Sequence, residues 1–67
     1  MKKALIIKTE GNKDFNFMIE IFKGKEMIAI VRGFNYKIEE IRYDDEAYFQ
    51  ITIDNKHSVW VDTYTIM

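Results

Sequence analysis

The chain has 67 residues, a net charge of −1, no cysteine and one histidine. Those figures exclude several domains, a disulfide framework and a Cys/His zinc site. Yet 48% of the residues are hydrophobic and 15% aromatic, a large apolar share for so short a chain. Below roughly 70–80 residues one core rarely supplies more than about 3–5 kcal/mol, so the surplus is expected to be covered by self-association into a homo-oligomer.

Residues 2–10, KKALIIKTE, read as a first strand, because Ile, Leu and Thr suit a pleated, half-buried surface. Gly11-Asn12 is a hairpin signal that would pair Glu10 with Lys13, Ile6 with Phe17 and Leu5 with Met18. Residues 14–23 fit two periods. Phe15, Met18, Ile19 and Phe22 make a helical stripe with Asp14 as N-cap, whereas Phe15, Phe17, Ile19 and Ile21 alternate as in a strand. The Phe and Ile content favours the strand, with a short helix as the alternative. Gly24-Lys25 then closes a turn pairing Lys23 with Glu26, Phe22 with Met27, Ile21 with Ile28 and Ile19 with Ile30.

Residues 26–32, EMIAIVR, are apolar on both faces, which suits a central strand or one buried at a subunit contact. Gly33 and Asn35 flank Phe34 in a loop. In residues 36–43, YKIEEIRY, the apolar parity switches between Ile38 and Ile41. A β-bulge at Glu39-Glu40 would restore one apolar face; a short helix capped by Asn35 is the alternative. With the bulge, a three-residue loop Asp44-Asp45-Glu46 sets Tyr43 opposite Ala47, Ile41 opposite Phe49 and Arg42 opposite Tyr48.

The most legible stretch is residues 47–65, two strands joined near Asn55-Lys56. A loop of odd length places Phe49, Ile51 and Ile53 beside Val59 and Val61; an even loop would drag Asp62 onto the apolar face. Asn or Asp can supply the positive φ that a three-residue loop requires. The odd loop leaves a second face that is aromatic and polar at once: Tyr48, Gln50, Thr52, Trp60, Asp62 and Tyr64, joined by Arg42. The whole chain, 1–67, thus reads as a single all-β domain, an antiparallel meander of five to six strands forming a small barrel or sandwich.

Little in the chain carries catalytic chemistry. No cysteine is present, and the lone His57 sits beside Ser58, whose side chain points the other way on a strand. Asp44-Asp45-Glu46 lacks the spacing of a calcium loop, no phosphate-cradling glycine motif occurs, and no cofactor is expected. A non-enzymatic binding protein is the expectation, with Arg42, Tyr48, Gln50, Trp60, Asp62 and Tyr64 as its binding residues, since Trp, Tyr and Arg dominate interaction hot spots. Its partner is expected to be another protein. Richness in Ile and Lys without proline suggests a phage or mobile-element protein that inhibits a host factor. One alternative is a small barrel stacking a nucleotide or single-stranded nucleic acid; another is a phage structural subunit. Against nucleic acid, residues 1–37 hold eight basic and four acidic side chains, but residues 38–67 hold two and seven, and the aromatic face lies on the acidic part. The four apolar residues after Lys3 are too few for a leader, and no run nears the ~20 of a membrane helix. No membrane association and a cytoplasmic location are therefore expected, for what reads as a complete small open reading frame.

Overall fold

In the computed structural model, which describes all 67 residues, the chain forms seven strands and no helix. They are β1 (Lys2–Lys8), β2 (Phe17–Lys23), β3 (Glu26–Gly33), β4 (Tyr36–Tyr43), β5 (Glu46–Ile53), β6 (His57–Val61) and β7 (Thr63–Ile66). Two sheets result, ordered β3-β2-β1-β7 and β4-β5-β6. All neighbours are antiparallel except β1 and β7, which run parallel. The architecture is a small open sandwich rather than a closed barrel. Its all-β class is the one the alternation predicts, with seven strands in place of five or six.

The core between the sheets comprises Ala4, Ile6, Phe17, Ile19, Ile21, Ile51, Ile53 and Val61, all buried. Val31, Ile38, Phe49, Val59 and Tyr64 pack against it, and Phe17 meets Tyr36 edge-on at 4.8 Å. Alternation alone would select most of this set, because β1 and β2 expose and bury successive residues in turn.

Three registers depart from expectation. Residues 14–23 form the expected strand only from Phe17, and Ile6 faces Ile19 rather than Phe17. Gly11-Asn12 does not close a tight hairpin; it lies in a longer loop where the Asp14 N–H donates to Asn12 Oδ1. Asn16 is drawn toward the next crossing: its N–H donates to Gly33 O at 2.8 Å and its Nδ2 to Phe34 O at 3.1 Å. The shift is two residues, so no side chain changes face.

The β2–β3 pairing starts as expected, Lys23 with Glu26 and Phe22 with Met27. It then skips Ile28, so that Ile21 faces Ala29 and Ile19 faces Val31. A straight register would have set Arg32 opposite Phe17 on the buried face. The bulge turns Arg32 outward, 5.6 Å over the Phe15 ring, and brings Gly33 opposite Phe17. Nor is β3 the central strand its two apolar faces suggest: it is the edge of its sheet.

No bulge interrupts β4. It pairs regularly with β5 from Tyr36↔Ile53 to Tyr43↔Glu46, because Asp44 takes a φ of +57° and lets the turn close on Asp44-Asp45 alone. This one-residue difference exchanges faces: Ile41 and Tyr43 leave the core side, while Glu40 and Arg42 occupy it beyond the last buried residue. That end of the hairpin reaches past the core, so nothing there demands one apolar face. The β5–β6 loop is the expected odd one, Asp54-Asn55-Lys56, with positive φ at Asp54 and Asn55.

The chain passes between sheets at two places, and an aspartate holds each. At Gly33–Asn35, Asp54 Oδ1 accepts the N–H groups of Phe34 (3.0 Å) and Asn35 (2.8 Å), and the Asp54 N–H donates to Asn35 O (2.9 Å). A Cβ on Gly33 would lie 2.7 Å from Ile53 Cγ2 and 2.9 Å from Asp54 Oδ2, so only glycine fits. At the other passage, Asp62 interrupts what reads as one strand from residue 58 to 65. Its N–H donates to Lys2 O (2.8 Å), and its carboxylate accepts the Lys2 N–H (2.7 Å).

Gly33→Ala is expected to destabilise by about 1–3 kcal/mol through overpacking, and Ile51→Ala by about 2–5 kcal/mol through the cavity it leaves. Either is a large part of the few kcal/mol that a domain of this size holds, and the urea midpoint measures both. Asp54→Ala strands two N–H groups and strains a left-handed residue, whereas Asp54→Asn keeps an acceptor and tolerates the conformation. The alanine variant should therefore be the weaker by about 1–2 kcal/mol in the same assay.

Candidate functional site

The outer face of the β4-β5-β6 sheet is built by parity from the registers. Tyr48, Gln50 and Thr52 of β5 lie beside Ile41, Glu39 and Lys37 of β4 on one flank, and Gln50 and Thr52 beside Trp60 and Ser58 of β6 on the other. The Tyr48 and Trp60 rings stand 5.0 Å apart, tilted by 43°. Trp60 is 46% exposed and Tyr43, at the end of the same face, 72%. Below them the face is polar. Gln50 Nε2 donates to Ser58 Oγ at 3.2 Å, Thr52 and Ser58 hydroxyls lie 3.4 Å apart, and Lys37 and Glu39 form an ion pair at 2.8 Å. The Glu39 carboxylate raises the Lys37 ammonium above its ordinary range by a direct hydrogen bond and by its charge. The face is thus an aromatic ridge of Tyr43, Ile41, Tyr48 and Trp60 above a hydrogen-bonded polar floor.

Of the six expected binding residues, Tyr48, Gln50 and Trp60 share this face, together with Thr52. Arg42 pairs with Ala47 instead of Tyr48, lies on the opposite face, and binds Glu40 at 3.0 Å. Asp62 serves the backbone of Lys2, and only borders Tyr48 across a shallow depression shared with Met1, Glu46 and Ala47. Tyr64 belongs to the other sheet. Beyond the bend at Asp62 it faces inward and packs edge-on against Phe49 at 4.9 Å. Sequence reasoning missed Ile41 and Tyr43 on this ridge. Leaving β4 unbulged would have found them, since both have the parity that faces Tyr48 when Asp44-Asp45 is the whole turn.

A second apolar surface, half-buried except at the exposed Met27 and Ile30, lies on the other sheet. On the outer face of the β1-β2-β3 sheet three cross-strand rows stack: Lys3, Phe22, Met27; then Leu5, Glu20, Ile30; then Ile7, Met18, Arg32. Six of these nine side chains are apolar, and the charged three lie on one diagonal. The signal was in the sequence, for β1 and β2 keep Leu5, Ile7, Met18 and Phe22 at positions an ordinary solvated sheet would give to polar residues.

No group of three or more His, Cys, Asp or Glu side chains converges, and no helix is long and apolar enough to cross a membrane. His57 is exposed at the start of β6. The chain matches no known protein family, and neither the curated proteins nor the solved structures contain a significant match to it.

Proposed function

We propose that the protein acts without catalysis, by recognising another protein through the ridge of Tyr43, Ile41, Tyr48 and Trp60. The observation that carries this reading is the Tyr48–Trp60 pair, with the tryptophan exposed and the tyrosine half-buried beneath it, set on a sheet and backed by side chains already hydrogen-bonded to one another. Large aromatic residues on a fixed platform give contact area at little cost in entropy, which is why Trp and Tyr dominate hot spots. The only cation on this face, Lys37, is engaged by Glu39, so nothing there would hold phosphates. This weighs against stacking of a nucleotide or single-stranded nucleic acid. Within this reading, a phage- or mobile-element-encoded inhibitor of a host factor is the finer proposal, and it rests on size and composition.

Trp60→Ala removes a half-exposed ring and should leave the urea midpoint nearly unchanged, while weakening partner binding at least about 30-fold, as for a hot-spot residue. Affinity capture from a host lysate, run in parallel with wild type and Trp60→Ala, should retain one defined protein with the first and lose it with the second. Equal retention by both would overturn the assignment of this face. Titration with ATP or an oligothymidylate should leave Trp60 fluorescence unchanged; salt-sensitive quenching would transfer the face to the stacking reading.

A further inference from the structure

We propose that the open end of the sandwich, between β1, β4 and β7, binds a small monocarboxylate with an apolar tail, the chemistry of a medium-chain fatty acid. The site lies where β4 begins, at Tyr36, whereas the Tyr48–Trp60 ridge lies toward the other end of that strand, so the two stand or fall independently. A cavity of about 280 Å³ opens there. Its floor is core, since Ile6 and Phe17 are buried. Its walls include Phe34, Tyr36 and Ile66, exposed by 49%, 36% and 56%. The volume falls just below the ~300–1,000 Å³ typical of ligand pockets, which sets a small occupant. An apolar tail laid between these walls would take their surface out of water, which is favourable.

The head group follows from charge. Along β1 the inward parity runs Ala4, Ile6 and then Lys8, opposite Phe17, so the core ends on a cation. Lys8 is the only charged side chain lining the cavity. It pairs with no carboxylate, the terminal one of Met67 included; the two ion pairs of the molecule are Lys37–Glu39 and Arg42–Glu40. Asn16, also in the lining, is held by three hydrogen bonds. The Thr9 N–H donates to its carbonyl at 2.9 Å, its N–H donates to Gly33 O at 2.8 Å, and its Nδ2 donates to Phe34 O at 3.1 Å. The second Nδ2 hydrogen has no acceptor. One ammonium and one amide hydrogen suit a single carboxylate, whose bonds to them are charge-assisted. A phosphate dianion would call for more cations than this cavity offers.

Heteronuclear NMR titration of the chain with octanoate should give saturable shifts at the Ile6, Asn16, Phe34 and Ile66 amides. Octanol keeps the tail without the charge and should bind at least about tenfold more weakly, and Lys8→Gln should weaken octanoate binding as much. Lys8 is exposed, so Lys8→Gln should leave the urea midpoint unchanged. Lys25→Gln, on the β2–β3 turn at the opposite end of β1, should alter neither binding nor midpoint. Ile66→Trp, which fills the mouth of the cavity, should abolish binding of both ligands. Shifts that never saturate, or that map to the outer faces of the sheets, would overturn the proposal. So would octanol binding as tightly as octanoate, or a folded Lys8→Gln chain that binds octanoate like wild type. Tighter binding of a peptide with an apolar C-terminal residue would give the cavity to a protein terminus, and the proposal would fall with it.

Discussion

Two carboxylates govern how this chain divides into sheets. A strand that leaves one sheet for another breaks its ladder, and the freed N–H groups then need acceptors. Asp54 supplies one for Phe34 and Asn35, and Asp62 supplies one for Lys2. Each also donates its own N–H to a carbonyl of the segment it holds. Charge-assisted bonds of this kind are stronger than neutral ones. Gly33 completes the first passage by letting Ile53 and Phe17 close over a backbone with no side chain. The two faces of the sandwich, and hence every exposed surface, take their orientation from these passages.

The passages also segregate charge. Residues 1–33, with most of the four-stranded sheet, hold seven basic and four acidic side chains; residues 36–61, the three-stranded sheet, hold three and six. The molecule therefore presents two unlike exteriors. One is basic at its margins and apolar across its middle, and the other is acidic with an aromatic ridge. Few residues are buried, nine of 67, so the sequence places its apolar residues on surfaces as well as in the core. Both exteriors are consequences of that choice.

Alternation made the core legible. Ile6, Ile19, Ile21, Ile51, Ile53 and Val61 are found by parity alone, and the β5–β6 loop by the aversion of Asp62 to an apolar face. What parity could not reveal was where it breaks. The apolar pattern predicts the break at Glu39-Glu40 if every strand keeps one apolar face; a hairpin overhanging the core is free of that demand. It lies instead at Ile28, where a straight register would bury the Arg32 guanidinium, a cost visible only once Phe17 is known to be inside. Arg42 and Tyr64 were misplaced for related reasons. One followed the imagined bulge, and the other followed a strand that Asp62 bends into a different sheet. Local pattern specifies faces well; it does not specify which distant backbone a polar side chain will hold.

The parallel pairing of β1 with β7 has a kinetic meaning. Lys2 and Asp62 are 60 residues apart, and closing a loop of that length costs about 3.6 kcal/mol of chain entropy before any contact across it forms. Local hairpins such as β5–β6 can form early and cheaply, but the four-stranded sheet stays incomplete until the last strand returns to the first. Topologies dominated by such distant pairings fold slowly for their size. During synthesis, the apolar edge of β1 stays open until residues 63–66 have left the ribosome, and that interval is when the chain is most exposed to wrong partners.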